Sequence, residues 1–363
     1  MIVAQDSCNA NQEEQLEIKS KNNSNVLKSN VKSVTKSFPK FVELGTSVLN
    51  GVIGDYLEKE NNDLRIKMGF YYHNKPVKLE TDSIKKMYSD ITPKICILIH
   101  GLCANEFEWK LCGTEDKDYG ERLQEDLGYT PLYLRYNSGL HISENGKKLS
   151  KIISSLIKAY PVKIDEIIFI CHSLGGLVTR SACNYGKEND ADWINKVKRL
   201  FFLASPHLGA PFERFGNVLT YVLKAINNPV TQLVGDIINL RSNAIKDLRY
   251  GYIKDDDWKG YDPDELLKDN RNDGSLLTDA EHYNIAASLT ENPEHPLNKY
   301  VGDPLVPLYS AFGKSKKMEK NITFPKENNI VFSKTGHIKI ANCNEVYKQI
   351  YYCCNDQSYR LIE

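Results

Sequence analysis

The sequence predicts an α/β fold, a mostly parallel central sheet with helices on both faces. Two observations carry that expectation. Short, almost continuous apolar runs recur at 95–99 (ICILI), 167–171 (IIFIC) and 200–204 (LFFLA). Strands buried on both faces read this way, without the polar alternation of a half-exposed strand. Between the runs lie segments with apolar residues at three- and four-residue spacings, so strands and helices alternate, as right-handed crossovers in a parallel sheet require.

Taken in order, about residues 1–40 are rich in Asn, Lys, Ser and Gln, with no aromatic residue before Phe38. Such a segment buries too little apolar surface to offset its ordering entropy and is expected to be disordered. From Phe41 the spacing of Val42, Leu44, Val48, Leu49, Val52, Ile53 and Leu57 predicts an amphipathic helix, and 71–79 a strand or hairpin at the domain edge. Strands are expected at 94–100, 131–136, 165–171 and 197–204, with helices at 119–127, through Leu149–Tyr160 and at 174–185. The alternation stops at Gly209 and resumes at 283–289, followed by a strand at 329–333 and a terminal helix from about Cys343. The block at about 209–275 is therefore expected to be a helical cap or lid inserted into one catalytic domain, 41–363.

Composition excludes several classes. Lys plus Arg is 47 and Asp plus Glu is 47, so the formal net charge is zero. That balance argues against nucleic acid as a partner, which calls for a basic excess or stripe. The longest apolar runs hold about five residues, against about 20 for a spanning helix. The N-terminus does not read as a signal peptide, and nine cysteines without a C-x-x-C pair suggest free thiols; together these make a cytoplasmic location the expectation, with secretion lacking a cleaved signal left open. No nucleotide-binding glycine motif occurs, Asp269 onwards fails the EF-hand pattern, and no cofactor or metal is expected.

The chemistry gathers at strand ends. The run 167–171 leads into His172-Ser173-Leu174-Gly175-Gly176 and then a helix. A serine on a tight strand-to-helix turn is lifted above the carboxyl edge of the sheet, and small residues let helix and strand approach. Such a serine needs an oxyanion cavity, a base and an acid. His100-Gly101-Leu102 follows the first central strand, so the backbone N–H groups of Leu102 and Leu174 are the oxyanion candidates. The base is expected after the last strand and the acid before it. Gly336-His337 and Gly302-Asp303-Pro304 satisfy this, and the order Ser173, Asp303, His337 is that of an α/β-hydrolase. His100 is read as supporting its loop and His172 as structural. His207 is read as rim or structural, the acidic run 255–257 as a solvated loop, and His141 as unplaced.

With these residues the chain resembles the bacterial α/β-hydrolases related to lipases and to the GPI inositol-deacylase-like group. The likeness spans about residues 42–355 and rests on 99–103 (IHGLC), 129–138 (YTPLYLRYNS), 141–146 (HISENG), 171–176 (CHSLGG), 204–211 (ASPHLGAP), Arg241-Ser242 with 247–249 (DLR), and 302–307 (GDPLVP). It implies ester or lipid hydrolysis by Ser173, His337 and Asp303 without a cofactor. Cys171 stands where the family usually has glycine, and Ser205 where it usually has threonine. The expected substrate is a small-molecule or lipid ester, with a peripheral lipid interface among the partners that apolar residues in the cap would suit. An acyltransferase or thioesterase on the same site, and an inactive binding protein of the same fold, remain as alternatives.

Overall fold

A computed structural model of the chain describes residues 39–111, 116–210, 242–261, 269–272, 274, 276–290, 303, 305–315 and 317–355. The chain divides into Met1–Gly45 and Thr46–Glu363, and the sheet and the candidate site belong to the second unit. Most of the expected tail and, of the expected cap, residues 211–241, 262–268, 273 and 275 lie outside the described residues.

The elements run α1 (Pro39–Lys59), β1 (Gly69–Tyr72), β2 (Lys75–Pro76), α2 (Thr81–Met87), β3 (Lys94–Ile99), α3 (Glu108–Leu111), α4 (Tyr119–Leu127), β4 (Thr130–Arg135) and α5 (Ile142–Ala159). They continue with β5 (Glu166–His172), α6 (Leu174–Glu188), β6 (Val197–Leu203), α7 (Asn243–Leu248), α8 (Asp255–Trp258), β7 (Glu281–Ala287), α9 (Leu308–Ala311), β8 (Asn329–Phe332) and α10 (Asn344–Cys354). Among the described residues the strands form one eight-stranded sheet in the order β2-β1-β4-β3-β5-β6-β7-β8. Strand β1 pairs antiparallel with the edge strand β2 and with β4; every other pair, from β4 to β8, is parallel. This is an α/β-hydrolase fold.

The sheet explains the apolar runs. Ile95, Ile97 and Ile99 of β3, Ile167, Phe169 and Cys171 of β5, and Leu200 and Phe202 of β6 face one core, with Leu149, Ile153 and Leu156 of α5 and Leu177, Val178 and Ala182 of α6. The alternate residues Cys96, Leu98, Ile168, Ile170, Phe201 and Leu203 face a second core, with Tyr119 and Leu123 of α4 and Val346, Tyr347 and Ile350 of α10. Side chains alternate faces along a strand, so two buried faces leave no position for a polar residue.

Helix α4 begins and ends where the sequence predicts because its caps are local. Asp118 accepts from the Glu121 backbone N–H and the Glu121 side chain accepts from that of Asp118, a capping box, and Gly128 closes the helix at φ 71°. The acidic run 255–257 differs from its expected role as a solvated loop. It forms α8, and Asp257 is buried, accepting from the backbone N–H groups of Ile253, Lys254 and Asn272. Ile253 and Lys254 precede α8 and Asn272 comes from a separate segment, so the carboxylate ties the two together by satisfying main-chain donors of both. Among the described residues no helix is long and apolar enough to cross a membrane.

Candidate active site

Parallel strands place the loops after β3, β4, β5, β6, β7 and β8 at one edge of the sheet, where ligands of open α/β sheets bind. Ser173 sits between β5 and α6 with φ 51° and ψ −120°. A left-handed φ is uncommon for a residue with a Cβ and marks stored strain. The strain is held by a hydrogen bond from the Ser173 N–H to the carbonyl of Leu203 on β6, 2.9 Å. It is also held by the close packing of the helix start. A methyl group at Gly175 would lie 2.4 Å from the carbonyl oxygen of Ile99, and one at Gly176 would lie 2.1 Å from the Ser205 hydroxyl. Cys171 fits in place of glycine because its side chain points into the first core, with its sulfur 3.0 Å from the Thr179 hydroxyl.

On the same edge, His337 follows β8 and Asp303 lies in the loop before α9. Nδ1 of His337 donates to Oδ2 of Asp303 at 2.7 Å, and Oδ1 accepts from the Leu305 N–H at 2.8 Å. Both side chains are buried. The pair is brought to the elbow by His172, whose ring lies 4.8 Å from that of His337, centroid to centroid. Among the described residues no hydrogen bond joins Ser173 to His337, and such contacts commonly tighten only with substrate bound.

The β3 loop abuts the elbow. A methyl group at Gly101 would sit 3.2 Å from Cβ of Ser173. Leu102, next in the chain, is half-buried, and Leu174 starts α6, whose N-terminal amides favour negative charge. His100 supports its loop, as expected: its Nδ1 donates to the Gly101 carbonyl at 2.9 Å, and the Tyr136 hydroxyl donates to the His100 carbonyl at 2.9 Å. Burial pushes its pKa down to about 4, so the ring is neutral near neutrality.

Sequence reasoning passed over Glu108. Its Oε2 accepts from the Gly101 N–H at 2.8 Å, and its Oε1 accepts from Nδ1 of His172 at 2.9 Å. Nε2 of His172 donates to the carbonyl of His337 at 2.8 Å. Burial opposes charge on both partners, but each is outweighed by the other: His172 titrates above its ordinary value and Glu108 below its own. The residues lie 64 positions apart, so no local pattern reveals the pair.

Two further histidines are buried structural groups. His207, expected as rim or structural, has its Nε2 3.1 Å from the Asn284 side-chain oxygen, and burial pushes its pKa well down. His141, unplaced in the sequence, sits before α5 with Nδ1 3.1 Å from both carboxylate oxygens of Asp247 and its ring stacked 3.5 Å from that of Trp258. Burial raises the pKa of Asp247, and its hydrogen bonds from His141 and the Ile142 N–H work the other way.

Residues 90–243 match the family described as "Putative serine esterase (DUF676)", somewhat under half of the 363-residue chain. The match includes Leu102, Ser173 and Leu174, ends before Asp303 and His337, and supports a serine hydrolase. No curated protein matches the chain. Among solved structures, the chain is similar to the mature lipase of Bacillus licheniformis at 17% identity, over 72% of this chain and 91% of that one, with a TM-score of 0.45. It is similar to a thermophilic esterase from Thermogutta terrifontis at 11% identity, over 74% and 92%, with a TM-score of 0.42. It is also similar to a lipase-esterase related protein from Clostridium acetobutylicum at 14% identity, over 72% and 94%, with a TM-score of 0.35.

Proposed function

We propose that this protein is a serine esterase that cleaves carboxylic esters, with lipid or other acyl esters as the substrate class, through an acyl-enzyme. The observation that carries the reading is Ser173 at a left-handed φ of 51°, on the sheet edge that also holds the buried Asp303–His337 pair. Ser173 Oγ attacks the ester carbonyl as Nε2 of His337 takes its proton. Asp303 keeps the other ring proton on Nδ1 and stabilises the imidazolium. The carbonyl oxygen becomes an oxyanion, which the N–H groups of Leu102 and Leu174 receive. Collapse expels the alcohol, which takes the proton from His337. Water then attacks the acyl-enzyme with His337 again as base, releasing the acid and restoring Ser173.

An apolar acyl group is supported by Leu289, 49% exposed beside the loop that carries His337. Leu289 follows β7, and its Cδ2 lies 3.7 Å from the position a methyl group would take at Gly336, next to His337. The test is turnover of soluble p-nitrophenyl esters and emulsified triacylglycerols over a series of acyl lengths, by the wild type and by Ser173→Ala. Hydrolysis by the wild type alone, rising with acyl length, is expected. Activity retained by folded Ser173→Ala overturns the nucleophile. Ester product in place of acid on adding an alcohol indicates an acyltransferase, and a wild type that neither turns over nor labels with a fluorophosphonate indicates a binding protein.

A further inference from the structure

Three buried hydrogen bonds meet at one pair of side chains, and each ends on a different loop of the candidate site. Glu108 receives the N–H of Gly101 in the β3 loop, and His172 is the residue before Ser173 on the elbow. The His172 ring in turn holds the main-chain carbonyl of His337. Glu108 is 7% exposed and His172 1% exposed, so neither is placed to meet a substrate.

The donor count leaves two protonation states for the pair, and the balance of charge and burial selects the ionic one. A main-chain carbonyl only accepts, so Nε2 of His172 must carry a proton. Nδ1 then either carries a second proton and donates to a carboxylate, or accepts the proton of a neutral carboxyl. A neutral imidazole has a single N–H. The attraction between the two outweighs their burial, holding His172 above its ordinary value and Glu108 below its own, so the pair is an imidazolium and a carboxylate whose second oxygen receives Gly101. A hydrogen bond between two buried charged groups is shorter and stronger than a neutral one, and costly to break on one side.

We propose that Glu108 and His172 are positioning residues, a buried clamp that holds the oxyanion loop, the nucleophile elbow and the His337 loop in register. The proposal rests on the reading of Ser173 and His337 as nucleophile and base. Its chemical logic is that core packing joins the segment after β3 to the His337 loop through Trp109, Ile340 and Ala341 but orients no main-chain polar group, whereas the bridge holds the Gly101 N–H and the His337 carbonyl. The β3 loop and the His337 loop are separated in the sheet by β5, β6 and β7. A side-chain bridge through His172 spans them directly. Movement of the His337 carbonyl would swing its ring away from Ser173, and a rotation of the Gly101 peptide would turn the Leu102 N–H out of the cavity. An ångström of misplacement in either costs rate without costing substrate affinity.

The clamp is tested with Glu108→Gln and the double variant Glu108→Gln/His172→Leu. In the first, the carboxamide still accepts from Gly101 and donates to a neutral Nδ1, so all three bonds survive without charge, and kcat should stay within about threefold of wild type. In the second, no unpaired buried charge remains, but the links to His172 are gone. Its kcat should fall by at least about tenfold with KM within about twofold, and fluorophosphonate labelling of Ser173 should slow in parallel. Hydrogen exchange should quicken in both 100–106 and 333–342 in the double variant and in neither in Glu108→Gln, with the core strands unchanged. Equal kcat in the two variants, a loss carried by KM alone, or exchange that does not change in both loops overturns the clamp. In wild type at about pH 7, the ring-nitrogen NMR signals of His172 should show protons on both nitrogens, and a bare Nδ1 overturns the ion pair. A wild type without turnover or labelling overturns the esterase reading instead, and the exchange and NMR measurements still decide the clamp.

Discussion

Two carboxylate–histidine pairs stand side by side at the carboxyl edge of the sheet, Asp303–His337 and Glu108–His172, with their imidazoles 4.8 Å apart. Both are buried and both use Nδ1 toward the carboxylate, at 2.7 Å and 2.9 Å. They differ at the other nitrogen. Nε2 of His172 is bound to a main-chain carbonyl, whereas Nε2 of His337 has no hydrogen-bond partner among the described residues. A histidine with both nitrogens engaged holds geometry. One with a nitrogen left over can exchange a proton, which is what a general base must do. The same two side-chain types thus serve structure or chemistry according to whether the second ring nitrogen is already engaged.

The comparison is broken most directly by removing the group that the open nitrogen would serve. Ser173→Ala should lower ester kcat by about 10⁶-fold, with the circular dichroism unchanged. A loss of under tenfold would remove Ser173 from the chemistry. Asp303→Asn should keep the fold but favour the wrong tautomer of His337, costing about 10⁴-fold in kcat. If Asp303 instead behaves like Glu108, tolerating the amide within about threefold as the clamp is expected to, the two pairs do not differ in kind.

A smaller effect is expected in stability. His100 and His282 are buried, and desolvation pulls each down to about 4 from an ordinary 6.5. The unfolded chain therefore takes up protons that the folded one refuses as pH falls. Their contribution is complete above about pH 6.5 and is lost as the pH drops through about 4. His172, raised by its carboxylate partner, has the opposite sign: its stabilisation is present below its ordinary value and fades as pH rises through the raised one. The urea midpoint of the wild type should fall between about pH 6.5 and pH 4, and His282→Phe should flatten part of that slope. A slope unchanged by the substitution would show that His282 is not held neutral by burial.

Legibility in the sequence followed chain distance. The elbow was readable because strand, serine, glycines and helix are contiguous from Ile167 to Gly176, and α4 because its capping box and terminal glycine are local. Glu108 was not, because it looks like any acidic residue at a helix start until the fold carries His172 to it across 64 positions. Asp247 and His141 meet across 106 positions, and Asp257 left its solvated reading only when unpartnered backbone donors surrounded it.

Periodicity, apolar runs and strand-end motifs therefore determined the fold class, the elbow and the order of the candidate residues, since each depends on neighbours in the chain. The tertiary structure decided which of the two neighbouring histidines, His172 and His337, is closed and which is open. That choice depends on burial and on the partner at each ring nitrogen, and both are set by loops that meet only when the parallel strands bring their carboxyl ends to one edge.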